Sequence, residues 1–304
     1  MWIILIALAF LAIAILVKGL IMFGGRGVED FDYENLIMIS SDEKVNDRFI
    51  ALETTFNTRD IGGYKTEAGE RVKRGKIFRS DRLYRSSKND INYLEKLDIK
   101  TSVDLRENSA FKRKPNRLPS KVQYLHMPVF KKVHKGLLFA TLFDRKNLGN
   151  VFCNSYIFQL ENSAKTFGSI LHVMSFRENL PLMYNCTSGK DRTGIVTALL
   201  LSLLGVKDEV IIRDYSLSNL NFSKMYESFS KDYEKRLKLL GANARELKPM
   251  IAVNPDWMKD ALKYIRKNYG SAEYYLLTKA GLPKDSIERL RYNLLERDES
   301  FLNI

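Results

Sequence analysis

The first 23 positions are apolar almost without a break, MWIILIALAFLAIAILVKGLIMF, with Lys18 the single charged side chain. About 20 such residues cross a bilayer core as a helix, so residues 1–23 predict a single-pass membrane anchor. The run lacks a basic start and has no small-x-small pattern ahead of Gly24, which weighs against a cleaved secretory signal. Gly24, Gly25, Arg26 and Gly27 read as a flexible exit, and residues 24–47 as a linker without clear periodicity. From about residue 48 the pattern changes. Short apolar runs predict strands over 76–79, 101–105 and 180–184, and apolar positions at helical spacing predict helices over 90–97, 152–176, 192–204, 208–217, 257–269, 272–279 and 285–296. Gly205, Gly270 and Gly281-Leu282-Pro283 mark helix ends. Strands alternating with helices predict a sheet flanked by helices.

At 304 residues and 45% hydrophobic content the chain can bury a substantial core, which excludes disorder as its main state. The formal net charge of +13 calls for an anionic partner: a phosphorylated protein, a phosphoinositide head group, an acidic membrane surface or nucleic acid. The excess is uneven. Residues 107–150 hold ten Lys or Arg against Glu107 and Asp144, a net charge of +8, mixed with Phe130, Leu137, Leu138, Phe139, Leu142 and Phe143. Such a segment either lies on an anionic membrane or over an active site, or is a solvated loop and helix with its apolar side on the core. No groove-reading or base-stacking motif accompanies it, which argues against nucleic acid. Lys18 and Arg26, on the C-terminal flank of the apolar run, point by the positive-inside tendency to a cytoplasmic catalytic domain on a membrane anchor. The two cysteines, Cys153 and Cys186, and the three histidines, His126, His134 and His172, have neither disulfide nor metal-ligand spacing. No metal or cofactor is expected, and Cys153, on a helical pattern, reads as a buried inert thiol.

Between the predicted strand at 180–184 and the helix at 192–204 lies Asn185-Cys186-Thr187-Ser188-Gly189-Lys190-Asp191-Arg192-Thr193-Gly194. Five residues between a cysteine and an arginine let a loop curl until its backbone N–H groups share one centre, and the following helix adds the partial positive charge of its N-terminus. A phosphate dianion fits such a nest. The same field stabilises a Cys186 thiolate, which at its ordinary pKa of about 8.5 would be scarce at neutral pH. Arg192 offers a planar fork for two phosphate oxygens, and Thr187, Ser188, Gly189 and Lys190 line the nest, with Lys190 a second cation at its mouth. Gly189 reads as a position needing an unusual backbone or a close approach, Gly194 as one that lets the helix pack tightly, and Thr193 as a hydroxyl able to help a thiolate leave.

The whole string resembles the active-site loop of the bacterial tyrosine phosphatase family, His-Cys-x-x-Gly-Lys-Asp-Arg-Thr-Gly, a group with dual-specificity and phosphoinositide-hydrolysing members. Asn57-Thr58-Arg59-Asp60-Ile61-Gly62-Gly63-Tyr64 looks like that family's N-terminal element, Arg79-Ser80-Asp81-Arg82-Leu83 and Val103-Asp104-Leu105-Arg106 like its strand-end motifs, and residues 269–294 like its closing helices. The resemblance implies an α/β domain over 48–298, with a mostly parallel sheet of four or five strands between helices in three layers. It also implies hydrolysis of phosphate monoesters through a cysteinyl-phosphate. The substrate it implies is protein phosphotyrosine, phosphoserine/threonine or a phosphoinositide. One position departs from the pattern: Asn185 stands where the family has His, and an amide hydrogen-bonds but carries no charge. This departure keeps open a second reading, a catalytically silent phosphate-binding module. Expelling an alkoxide or phenoxide also needs a proton. Asp191 and Asp104 are the candidates; the resemblance favours Asp191 as acid and base and gives Asp104 a supporting role, while either is able to act as a structural carboxylate, Asp104 beside Arg106 or Arg79.

Overall fold

The computed structural model describes residues 45–130, 148–227 and 251–297. The predicted anchor, nearly all of the predicted linker and the apolar stretch 131–147 of the basic segment lie outside them. Among the described residues no helix is long and apolar enough to cross a membrane.

Five strands form the central sheet: β1 (Arg59–Asp60), β3 (Ile77–Ser80), β4 (Thr101–Asp104), β5 (Gln123–His126) and β6 (Leu182–Asn185), in the order β1-β3-β6-β4-β5. β3, β6, β4 and β5 run parallel, and β1 is antiparallel at one edge, so the sheet is mixed. A small antiparallel pair joins β2 (Glu70–Val72) to β7 (Leu295–Arg297). The helices are α1 (Lys88–Lys96), α2 (Asn108–Arg113), α3 (Leu148–Asn162), α4 (Ala164–Met174), α5 (Asp191–Leu203), α6 (Asp208–Ser216), α7 (Pro255–Tyr269), α8 (Ala272–Thr278) and α9 (Lys284–Leu294).

Alternate residues of a strand face opposite sides of the sheet, and the core divides accordingly. Ile77, Leu182 and Tyr184 join the large apolar cluster, which includes Phe167 of α4, Leu199 of α5, Trp257 of α7 and Leu290 of α9. Phe78 and Met183 face the other way, into a smaller cluster with Leu52, Leu83, Ile99 and Leu94 of α1. Local signals set the helix starts. Ser87 and Asp90 form a reciprocal capping box on α1, and the Asn254 side chain accepts the Asp256 N–H ahead of Pro255 in α7.

Two predicted helices come out differently. The helix expected over 152–176 is two, α3 and α4, because Ser163 leaves helical geometry and donates its hydroxyl to the Val129 carbonyl. The helix expected over 285–296 stops at Leu294, whose carbonyl accepts the Lys73 N–H at 2.7 Å, and the next three residues pair with β2. Both endings depend on partners far away in the chain. Strand β5 was not anticipated either, since Gln123 is exposed and the other three residues are half-buried, which hides the alternation.

Candidate active site

In parallel α/β sheets ligands bind at the carboxyl ends of the strands, and the register here brings three such ends together. Ser80 and Asp104 both lie opposite Asn185, so Asp81, Cys186 and Leu105 leave the sheet side by side. Cys186 is 2% exposed and is a free thiol. The next residues form the loop, and α5 begins at Asp191.

The backbone polarity of the loop follows from a set of donors, all but one of them from outside the loop. The carbonyl of Asn185 accepts from Leu105 N–H (2.8 Å), that of Cys186 from Asn185 Nδ2 (3.2 Å), that of Thr187 from Arg82 N–H (3.3 Å) and that of Ser188 from Asn57 Nδ2 (2.9 Å). Arg79 Nη2 donates to the Gly189 carbonyl at 2.8 Å and to that of Lys190 at 3.5 Å. In a trans peptide the N–H points opposite to the C=O, so carbonyls held outward turn the following N–H groups inward. The N–H groups of Thr187, Ser188 and Gly189 meet no acceptor among the described residues. Gly189 is required twice over: its φ is +69°, and a Cβ there would stand 2.7 Å from Asp81 N and the Ser80 carbonyl. Gly194 allows α5 to lie against Tyr215, whose ring would be 3.0 Å from a Cβ.

Arg192 returns to the thiol from the first turn of α5. Burial opposes its charge, but the fields of Cys186 and Glu107 outweigh burial and hold its pKa above the ordinary arginine value. Its Nη1 meets Glu107 Oε2 at 3.1 Å and its Nη2 donates to Thr187 Oγ1 at 3.1 Å, which sets the guanidinium plane against the loop. Lys190 is not at the mouth as expected. It is 1% exposed, with Nζ 3.0 Å from Asp191 Oδ1 and 5.9 Å from the centre of the Trp257 ring. The same Asp191 oxygen accepts from Tyr156 OH at 2.6 Å, and Tyr156 OH is 2.6 Å from Tyr215 OH. Asp191 Oδ2 has no partner among the described residues, and the side chain is 20% exposed. Thr193 Oγ1 is buried without a hydrogen-bond partner among the described residues.

Asp104 stands apart from this group. Burial works to raise its pKa, but Arg106, bonded through Nε, Nη2 and its own N–H, together with Tyr124 OH at 2.6 Å, outweighs burial and lowers it. Of the partners considered for Asp104, Arg106 is the one it takes; Arg79 goes to Asp214 (2.6 Å). Asp214 also receives Arg59 Nε at 3.1 Å and Tyr64 OH at 3.0 Å. Cys153 is half-buried on α3, 3.6 Å from Asp260, and burial followed by that carboxylate pushes its thiol up to about 11. His126 and His172 bond to Arg106 O and Ser286 Oγ, and no group of potential metal ligands occurs among the described residues.

Several residues of the site escaped sequence reasoning. Asn57 and Arg79 lie inside quoted motifs, but Asn57 had no role and Arg79 only that of a candidate partner for Asp104 until their contacts with the loop carbonyls were seen. Glu107 directly follows the Val103-Asp104-Leu105-Arg106 motif, which was its only signal. Asp214, Tyr156 and Asn116 had none. A cleft of about 820 Å3, lined by Lys73, Lys76, Arg177, Arg291 and Tyr292 among others, opens at the opposite end of the strands and takes no part in the site.

Fold and loop define an α/β protein with a buried cysteine at the carboxyl edge of its sheet, followed by a loop whose carbonyls are held outward and by the N-terminus of α5. The chain belongs to the tyrosine phosphatase family, whose model matches residues 50–296. It is similar to a Cupriavidus necator protein provisionally named a tyrosine-protein phosphatase, with 24% identity over 75% of this chain and 82% of that one. The triple specificity protein phosphatase PtpB of Mycobacterium tuberculosis is 25% identical over 80% of this chain and 98% of its own. A tyrosine-protein phosphatase of Nostoc commune is 25% identical over 72% and 74%. Among solved structures, P. aeruginosa TpbA covers 70% of this chain and 91% of its own at 14% identity and a TM-score of 0.35, a likeness too slight to inform the fold.

Proposed function

We propose that this phosphatase hydrolyses phosphate monoesters, protein phosphotyrosine first among them, through a cysteinyl-phosphate on Cys186. The observation that carries the proposal is the outward hold on consecutive loop carbonyls, which leaves inward N–H donors facing the same place as Arg192. The Cys186 thiolate attacks phosphorus; the P–S bond forms as the P–O ester bond breaks, and the leaving oxygen takes the proton of Asp191. With Oδ1 occupied by Tyr156 and Lys190, Oδ2 is the oxygen that carries this proton. Asp191 then accepts a proton from water as water attacks phosphorus and thiolate leaves, with the Thr193 hydroxyl available to the sulfur. Arg192 and the N–H groups stabilise the equatorial oxygens through both steps. Asp104 supports the rim through Arg106. Phosphoserine/threonine and phosphoinositides fall within the same chemistry, and the name of the mycobacterial relative favours such breadth. Residues 1–23 anchor the enzyme in a membrane with its catalytic domain cytoplasmic; the apolar run, broken only by Lys18, and its basic C-terminal flank support this.

Nothing around Asn185 favours the silent binding module, because both ends of its amide are engaged in holding the loop. The deciding experiment measures phosphate release by the full chain from a phosphotyrosine peptide, a phosphoserine peptide and short-chain phosphoinositides, with Cys186→Ser alongside. Release that drops by at least about 10³-fold in the variant is expected. Retained release would overturn the covalent route, and ligand binding without any turnover by the wild type would restore the silent module.

A further inference from the structure

Five of the six loop carbonyls from Asn185 to Lys190 take donors from outside the loop; that of Cys186 depends on the side chain of its own neighbour, Asn185. That side chain is fully buried, and an amide can bond correctly only if its oxygen and nitrogen face the right way. The orientation is fixed by a chain of bonds that starts at a group with no freedom. The Leu83 backbone N–H donates to Asn116 Oδ1 at 3.1 Å. A backbone N–H cannot accept, so Asn116 must present oxygen to Leu83 and Nδ2 to its other neighbour. That neighbour is Asn185 Oδ1, 2.8 Å away. Asn185 must therefore present Nδ2 to the Cys186 carbonyl, as it does at 3.2 Å. The Asn116 backbone is itself tied in, its N–H donating to Tyr124 OH at 3.3 Å.

We propose that Asn116 is a positioning residue for catalysis: through Asn185 it holds the Cys186–Thr187 peptide with its carbonyl outward, and so aims the Thr187 N–H at the bound phosphate. This rests on the oxyanion reading of the loop given above. The relay consists of two neutral amides where the family pattern has an imidazole, so its polarity is independent of pH. It also accounts for the departure at Asn185: an uncharged residue performs the orienting task because a second amide dictates which way it points.

Asn116→Asp tests the relay with almost no change of shape. One carboxylate oxygen still accepts from Leu83, but the other faces Asn185, whose amide then turns over and sets oxygen against the Cys186 carbonyl. In the full chain, kcat/KM for a phosphotyrosine peptide is expected to fall about tenfold or more, the worth of one oriented buried bond. Inhibition by vanadate, which occupies the nest without chemistry, should weaken by a similar factor, with thermal unfolding as the check on folding. Adding Asn185→His to Asn116→Asp should restore much of both losses below about pH 6.5, because an imidazolium donates to the introduced carboxylate and to the Cys186 carbonyl at once, and not above it. A purely packing role would produce no such pH-dependent rescue. If N116D fails to fold, Asn116→Ser, which deletes the amide, carries the same expectation for vanadate. Unchanged vanadate inhibition and turnover in a folded Asn116 variant would overturn the relay. If Cys186→Ser also kept its turnover, the failure would belong to the catalytic reading instead.

Discussion

On the β3 side of the loop Asp214 sits between Arg59 and Arg79, one anion for two cations. On the β4 side Asp104 is matched by Arg106 alone, with Tyr124 on its second oxygen. Both clusters are almost wholly buried, yet they reach the loop differently. The first carries a surplus positive charge, and Arg79 delivers it directly to the carbonyls of Gly189 and Lys190. The second is balanced and closes on itself; its link to the loop runs through Tyr124 and the neutral amides of Asn116 and Asn185. Charge thus supports the loop from one side, where it favours an anion in the nest. Through the Tyr124–Asn116–Asn185 link only dipoles act, and they set direction without adding charge.

Removing one anion from each cluster breaks this comparison at its strongest point. Asp214→Asn strands two buried arginines and frees Arg79 from its anchor, so a destabilisation near the upper end of the range for a broken buried ion pair is expected, about 5 kcal/mol, with turnover lost as well. Chemical denaturation and phosphate release measure both. Burial opposes the charge of Asp214, but the fields of Arg59 and Arg79 override it and hold its pKa well below the usual range. Its contribution to stability is therefore present above the unfolded carboxyl pKa of about 4 and fades as pH falls below that value.

Asp104→Asn strands one arginine and should cost less, about 3 kcal/mol. Turnover should fall by less than about tenfold, since the loop loses an indirect support rather than a direct one. Equal losses of turnover in the two variants would remove the distinction between direct charge and indirect orientation.

The smallest effect concerns a carboxylate that backbone N–H groups hold in place. Asp81 accepts from Asn57 N–H at 3.0 Å and Phe56 N–H at 3.2 Å, and burial outweighs them to push its pKa up to about 7. The folded state then holds the Asp81 proton more tightly than the unfolded chain does. This favours folding below about pH 4, and the benefit is lost as pH rises through about 7. Asp81→Asn keeps an acceptor for both N–H groups and cannot ionise. Its Tm should rise by on the order of 5 °C at pH 8 and change little at pH 4. A gain that is the same at both pH values would assign the effect to packing.

How much of this was legible beforehand depends on whether the signal was local. The strand-to-helix junction around Cys186, the glycine at 189 and the starts of the helices could be read from neighbouring residues, because backbone geometry and capping are settled within a few positions. The break at Ser163 and the end of α9 could not, since each answers to a partner, Val129 or β2, that is distant in sequence. Lys190 was misplaced for the same reason: its charge suggested solvent, whereas Asp191 and the Trp257 ring receive it inside.

By itself the sequence determined the family and the loop, because Cys186, Asp191 and Arg192, the residues proposed for its chemistry, lie within seven consecutive positions. Only the tertiary structure decided which carboxylate keeps an open oxygen, which arginines hold the loop and which way the Asn185 amide points. Asp214 reaches Arg59 across 155 residues and Asn116 reaches Asn185 across 69. Hydrogen-bond direction and buried-charge balance are properties of groups brought together by folding, and chain spacing carries no record of them.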